Sequence, residues 1–294
     1  MKKAFLFILL LTSFLGFSQE TISPFYRLGD VSASIETLTP TVKDALTAAG
    51  YTILGEYHPE KNKDLYVIAY TSDDIINVCK NFSDRGLLAA TLKVGLLYKD
   101  GKTSLSMLNP EYQFRAYIYE GYSNYAAKLE TFSQAAIHTL KPLGDKFEAF
   151  GGEEKKDKLY KYHYKMMMPY FTDPVELNAF ASFEEGLKTI RKNLEAGLGN
   201  TAKVYEIVDE EKQIAVFGVA LYDLEKGEAD FLPTIGEEHI AAMPYDIILQ
   251  GNQATMLHGK YRFALLWPEL TMGTFMKIMS TPKNVERFME ALTK

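Results

Sequence analysis

The sequence predicts an α+β protein built from two related α/β-sandwich-like domains, in each of which helices pack on a mainly antiparallel sheet. Apolar residues at helical spacing alternate with short strand-like runs, and the same order of signals occurs in both halves of the chain. The turn signals Asp100-Gly101 and Gly251-Asn252 separate alternating apolar runs, as in β-hairpins. A chain of 294 residues is also long for one hydrophobic core, so we expect two domains.

The residues 1–18 have the features of a signal peptide. Two lysines precede an apolar run over 4–17, and the small residues Gly16 and Ser18 favour cleavage before Gln19. The run is shorter than the roughly 20 residues that span a bilayer. We therefore expect an exported protein, periplasmic or secreted from the cell, without a membrane span in the mature chain.

The first domain is expected over residues 19–122 and opens with a helix. Thr39 followed by Pro40 is typical of the start of a helix. Gly50 is typical of its end, because glycine readily adopts the left-handed backbone conformation that stops a helix. A strand is expected to follow from residue 51 to residue 57.

The chain has one cysteine, which excludes an internal disulfide. Ser72 or Asp73 can cap a helix in which Ile75, Cys79 and Phe82 lie on one apolar face. A thiol on such a face behaves as a small core residue. We expect a buried structural cysteine, with a reactive thiol as the alternative.

Residues 123–158 are expected to connect the domains. Apolar residues at helical spacing over 124–140 predict a bridging helix. The stretch 151–158 has two glycines, six charged residues and no apolar side chain, which is typical of a linker.

The second domain is expected over residues 159–294 and is diverged from the first. Ser182 and Glu185 have the spacing of a capping box, and Gly197 ends the helix that they begin. Two short helices are expected at the end of the chain, the second starting at Thr281-Pro282.

The two halves also match residue by residue around the hairpins. Without gaps, Ala89, Leu97, Thr103 and Leu105 fall on Ala241, Leu249, Thr255 and Leu257, and a deletion of three residues places Tyr112 and Phe114 on Tyr261 and Phe263. A series of matches in one order favours a tandem duplication.

Four segments of the first half, 46–57, 64–72, 94–101 and 108–111, resemble the bacterial family catalogued as domain of unknown function 302. The resemblance covers residues 24–120, and a diverged copy spans about 180–294. It implies a small α+β domain that pairs with another copy, and it implies no activity or catalytic residues. A tandem chain could build this pair internally, so we expect a monomer with an internal pseudo-dimer, or a homodimer.

The sequence contains none of the common catalytic motifs, among them G-x-S-x-G, H-E-x-x-H, C-x-x-C, the Walker loop and G-x-G-x-x-G. With 32 basic and 38 acidic residues, it also offers no basic surface for nucleic acid. We therefore predict no catalytic residue, no metal ligand and no cofactor.

Residues 159–168 are rich in tyrosine and methionine and alternate like a strand, with His163 and Met167 on one face. A copper site is one interpretation, because imidazole and thioether suit that metal. Two lysines on the same face oppose a cation, so we favour a half-buried strand with adaptable methionine packing.

Four residues of the second half are candidates for ligand binding: His239, Tyr245, His258 and Arg262. Imidazole, phenol and guanidinium groups near one sheet edge would suit a small anionic ligand. The alternative is that the tyrosine packs in the core, His258 lies in a turn and Arg262 is solvated.

Two classes of function remain open. We expect non-catalytic binding of a small molecule or a protein partner in the cell envelope, through a groove between the halves. The alternative is an envelope enzyme with a site around His239 and His258. An enzyme requires converging titratable side chains with shifted pKa values in a pocket.

Overall fold

The computed structural model describes residues 20–294, so the expected signal peptide lies outside the described residues. The first half contains β1 (Thr21–Ile22), β2 (Phe25–Val31), α1 (Ile35–Ala48), β3 (Thr52–Tyr57), β4 (Leu65–Thr71), α2 (Asp73–Cys79), β5 (Leu92–Lys99), β6 (Lys102–Leu108) and α3 (Pro110–Tyr117). The connection contains α4 (Tyr122–Leu140), β7 (Glu148–Phe150) and β8 (Glu154–Lys155).

The second half contains β9 (Val175–Ala179), α5 (Phe183–Glu195), β10 (Thr201–Asp209), β11 (Ile214–Leu221), α6 (Glu228–Ile235), β12 (Tyr245–Gln250), β13 (Gln253–Met256), α7 (Gly259–Leu266), α8 (Met272–Lys277) and α9 (Thr281–Leu292). Short 3-10 turns precede the central strand of each sheet, at Gly86–Ala90 before β5 and at Glu237–Ala242 before β12.

Each half has its own antiparallel sheet. The strand order is β3-β4-β5-β6-β2-β7 in the first half and β10-β11-β12-β13-β9 in the second, and β1 pairs with β8 apart from both. Every paired neighbour is antiparallel. The predicted α+β class is therefore confirmed.

The two halves share more than strand order. The series β2, α1, β3, β4, β5, β6, α3 has the same order as β9, α5, β10, β11, β12, β13, α7. Bulges also coincide, since one extra residue interrupts the register at Leu28 in β2 and Leu177 in β9, and again at Leu54 in β3 and Val204 in β10. A bulge bends and twists its strand, so both sheets are deformed at the same places.

The halves pack closely against each other. The turn Glu237–Ala242 lies on β4, β5 and β6 of the first half, and the turn Gly86–Ala90 lies on β11 of the second. At the crossing of β3 and β10, a Cβ atom on Gly55 would lie 1.8 Å from the carbonyl oxygen of Val204. The buried apolar side chains of both halves form one continuous core.

Reciprocal hydrogen bonds join α3 and α7. Tyr112, the third residue of α3, donates from its phenol to the carbonyl of Leu265 at 2.6 Å. Tyr261, the third residue of α7, donates to the carbonyl of Ala116 at 3.2 Å. Leu265 and Ala116 are both the seventh residue of their helix, so the contact has the form of an isologous interface within one chain.

The start of α1 differs from the prediction. The helix begins at Ile35, not after Thr39, and Pro40 lies inside it. Ser34 is the N-cap, and its hydroxyl accepts a hydrogen bond from the amide of Thr37 at 3.3 Å. Ile35 is buried in the core, so packing adds a helical turn ahead of the proline.

The predicted strand over 159–168 is wrong. A 3-10 turn covers Lys156–Lys161, and neither sheet includes a strand from the segment that follows it. Leu159 and Tyr162 are buried at a spacing of three, whereas Tyr160 is 40% and Tyr164 39% exposed. Alternation alone cannot specify a strand where the backbone has no neighbouring strand to pair with.

Other local predictions are confirmed. Ser72 caps α2 and Cys79 is fully buried, while Ser182 accepts from the amide of Glu185 at 3.2 Å to begin α5. The helix predicted over 124–140 is present as α4, and it packs on α1, α2 and α3 of the first half. The charged stretch 151–158 was expected to be a linker but contains β8, which pairs with β1.

Candidate functional site

The structure brings Tyr245 and Arg262 together. The guanidinium carbon of Arg262 lies 3.7 Å from the centroid of the Tyr245 ring, and both side chains are buried. Arg262 donates hydrogen bonds to the carbonyls of Ala242 and, at 3.2 Å, Pro244. Arg262 is thus held inside the protein and is not solvated.

The first half shows what Arg262 does. Gln113 is the fourth residue of α3, as Arg262 is of α7. Its side-chain amide donates to the carbonyls of Ala89 and Thr91 at 3.0 and 2.9 Å, in the segment that leads into β5. Both residues therefore satisfy the buried carbonyls of the chain before the central strand, which is a structural role.

His258 also has a counterpart in the first half. It is the N-cap of α7, and its Nδ1 atom accepts from the amide of Lys260 at 3.1 Å. Asn109 caps α3 in the same way, accepting from the amide of Glu111 at 3.1 Å. Burial, and then the charge of Lys260, lowers the pKa of His258, which favours the neutral acceptor form.

His239 lies in separate surroundings. Its ring is 3% exposed and packs at 5.4 Å from the ring centroids of both Phe25 and Phe150. Its Nε2 atom lies 3.3 Å from a carboxylate oxygen of Glu269. The four predicted residues therefore occupy three different environments and do not form one pocket.

A buried polar cluster at the contact of the halves was not predicted. Lys93 of β5 lies with its Nζ atom 3.5 Å from the carboxylate of Asp246 in β12, which also accepts from the phenol of Tyr205. Burial lowers the pKa of Lys93, and Asp246 offsets part of that effect. Sequence reasoning missed the cluster because these strands are far apart along the chain.

The same contact contains a second buried carboxyl group. Glu228, the first residue of α6, accepts from the phenol of Tyr57 at 2.9 Å and from the amide of Glu60 at 3.2 Å. Burial raises the pKa of Glu228 to about 8 and that of Glu60 to about 7. Glu228 and Lys93 are 0% and 5% exposed, so these shifted groups are closed to solvent.

An open apolar groove lies beside α7. It lies within the second half, whereas a groove between the halves was expected. Its volume is about 250 Å³. The walls come from α7, from the segment 164–168 and from the chain around α8. They consist of Tyr164, Lys165, Met166, Met168, Lys260, Phe263, Ala264, Trp267, Leu270, Met272 and Phe275.

Trp267, the only tryptophan of the chain, borders the groove and is itself buried, at 1% exposed. Five methionines on the described surface are strongly exposed: Met166, Met167, Met272, Met276 and Met279 are between 56% and 96% exposed. Three of the groove residues, Met166, Met168 and Met272, are methionines. Flexible thioether side chains of this kind adapt to ligands of different shape.

Two lysines, Lys165 and Lys260, line the groove. Among the ion pairs of residues 20–294, neither lysine has a carboxylate partner. The Nζ atom of Lys165 lies 4.9 Å from the ring centroid of Tyr164.

The equivalent surface of α3 is chemically different. Glu111 and Arg115, which match Lys260 and Ala264 in helix position, form a salt bridge at 2.8 Å. Lys156 joins them, at 3.3 Å from Glu111. Ion pairs therefore line this surface in the first half, and apolar side chains line it in the second.

The sequence held one clue to the groove. Lys260, Phe263, Ala264 and Trp267 have the spacing of one helical face. The other wall could not be predicted, because the segment 159–168 was interpreted as a strand.

No helix within residues 20–294 is both long and apolar enough to cross a membrane. In the same part of the chain, no three or more His, Cys, Asp or Glu side chains are grouped so that they could hold a metal ion. Comparison of the chain with protein-family models, with curated proteins and with solved structures finds no match.

Proposed function

We propose that the protein binds a small apolar molecule, without catalysis, in the groove beside α7. The observation that supports this proposal is the groove itself, which is open and is lined by aromatic and methionine side chains. Ligand sites are typically concave and mostly apolar, with a few polar groups. The polar groups here are a phenol, the indole N–H of Trp267 and two lysines.

The chemistry of the groove favours binding over the alternative of an enzyme around His239 and His258. No carboxylate, imidazole, thiol or aliphatic hydroxyl lines the groove. Glu228 and Lys93, two titratable groups with shifted pKa values, are buried elsewhere, and His258 caps α7 outside the groove lining. A histidine or carboxylate that acts as general acid or base must lie within hydrogen-bond reach of the substrate.

We further propose that the two halves arose by tandem duplication and that the protein is exported to the cell envelope. Shared strand order, coincident bulges and the reciprocal bonds of Tyr112 and Tyr261 support the duplication. Such an internal pair also fits the proposed likeness to domain of unknown function 302. Export is supported by the composition of residues 1–18.

The proposed function can be tested with the neutral probe N-phenyl-1-naphthylamine. Saturable binding should quench the emission of Trp267, the only tryptophan. Ala264→Phe fills the groove and should weaken binding at least about tenfold, roughly 1.4 kcal/mol. Ala135→Phe, on the exposed face of α4, is the matched control and should bind as the parent protein does.

A second variant, Met272→Glu, tests the groove independently in case Ala264→Phe does not fold. Met272 is 58% exposed, so the fold tolerates a charge there, while a carboxylate at the groove should oppose an apolar ligand. The proposal fails if the parent protein shows no saturable binding, or if both groove variants bind the probe with unchanged affinity.

A further inference from the structure

The groove has an electrostatic feature that an apolar ligand alone does not explain. Lys165 and Lys260 come from different walls, yet both line the same apolar opening. The protein carries a net charge of −6, whereas both charged side chains that line the groove are basic. A ligand with a negative group would complement them.

The position of Lys260 points the same way. It is the second residue of α7, where the helix dipole disfavours a positive charge. The matching residue of α3 is Glu111, which has the favourable sign and pairs with Arg115. Lys260 therefore has the unfavourable sign for its own helix, and an anionic ligand beside it would offset that charge.

We propose that the ligand is an amphiphile with an acyl chain and an anionic head group, such as a medium-chain fatty acid. This inference rests on the proposed function. The chain lies against Phe263, Trp267 and Phe275, and Lys165 and Lys260 hold the carboxylate. Each methylene group that leaves water adds to the binding free energy, so the chain provides most of the affinity and the lysines provide the selectivity.

The size of the groove limits the chain. Its 250 Å³ is below the 300–1,000 Å³ that is common for ligand pockets, which favours a medium-length chain over a long one. Met166 and Met272 lie at the opening and can follow the part of a ligand that extends beyond it.

The test compares decanoate with 1-decanol, both below their aggregation limits, by titration of Trp267 fluorescence. The two molecules have the same chain and differ in the charge of the head group. Decanoate should bind about tenfold more tightly, as two charge-assisted contacts would give. The double variant Lys165→Gln/Lys260→Gln should lower decanoate affinity to that of 1-decanol and leave 1-decanol affinity unchanged.

Lys188→Gln, an exposed lysine of α5, is the matched control and should change neither affinity. Binding of 1-decanol reports that the double variant is folded. Equal affinities of the parent protein for the two molecules, or a double variant that still prefers decanoate, would overturn the head-group assignment and leave the proposed function intact. If the parent protein binds neither molecule nor the neutral probe, both proposals fail.

Discussion

The buried carboxyl group of Glu228 makes the stability of the protein depend on pH. Burial raises its pKa from the ordinary value of 4.5 to about 8, and hydrogen bonds from Tyr57 and the amide of Glu60 offset only part of that effect. The folded state therefore keeps the proton at pH values where the unfolded chain has lost it. Stability is greatest below the unfolded pKa and falls as the pH rises from 4.5 to 8.

The size of the effect follows from the shift. One pH unit within this window costs about 1.36 kcal/mol, so Glu228 removes roughly 3 kcal/mol of unfolding free energy between pH 5 and pH 7. Glu228→Gln removes the titration but loses one hydrogen-bond acceptor, at about 1 kcal/mol. The variant should be less stable than the parent protein at pH 5 and more stable by about 2 kcal/mol at pH 7.

Urea unfolding followed by circular dichroism, at half-unit steps from pH 5 to pH 8, measures both profiles. The quantity of interest is the difference between parent and variant, because other groups, Glu60 among them, titrate in the same window. Glu225→Gln, an exposed residue just before α6, is the control and should leave the profile unchanged. Parallel profiles for the parent protein and Glu228→Gln would refute the assignment of a protonated carboxyl group.

Three further predictions concern the packing of the halves and of the helices. Gly55→Ala would place a Cβ atom 1.8 Å from the carbonyl of Val204 and should cost about 3 kcal/mol in urea unfolding. Gly273→Ala, with its nearest neighbour at 3.8 Å, should not destabilise the protein, and an equal loss in both variants would contradict the predicted close approach. His258→Ala should cost about 1 kcal/mol by removing the cap of α7, whereas His258→Asn should cost less; equal losses would argue against capping. Burial raises the pKa of Cys79, so a thiol reagent should react only when the protein unfolds, and rapid modification of native protein would show that the side chain opens.

Much of the fold could be predicted from local chemistry. The caps at Ser72 and Ser182 and the hairpin signal at Asp100-Gly101 depend on residues within a few positions of each other. The start of α1 was missed because burial of Ile35 outweighs the local preference of Pro40 for the first helical position. Local signals predict a helix or strand well, except where tertiary packing lengthens the element or prevents it from forming.

The candidate site was harder to predict. Tyr245 and Arg262 do meet, but the comparison with Gln113 shows that Arg262 satisfies backbone carbonyls, a role that spacing does not reveal. The groove needs two walls, and the one formed by 164–168 has no regular secondary structure. The alternation of residues 159–168 predicts a strand, and it misplaces the side chains because no neighbouring strand pairs with this backbone.

The sequence alone determined the α+β class, the caps of α2 and α5 and the buried position of Cys79, because apolar periodicity and capping are properties of short segments. The tertiary structure alone decided which side chains meet across the halves. Lys93 reaches Asp246, and Tyr57 reaches Glu228, only because the two halves pack against each other, with the 3-10 turn of each half lying on the sheet of the other. It also decided the character of two equivalent surfaces: the ion pair of Glu111 and Arg115 lines that of α3, whereas apolar side chains line the groove beside α7, because residues far apart along the chain form its other wall.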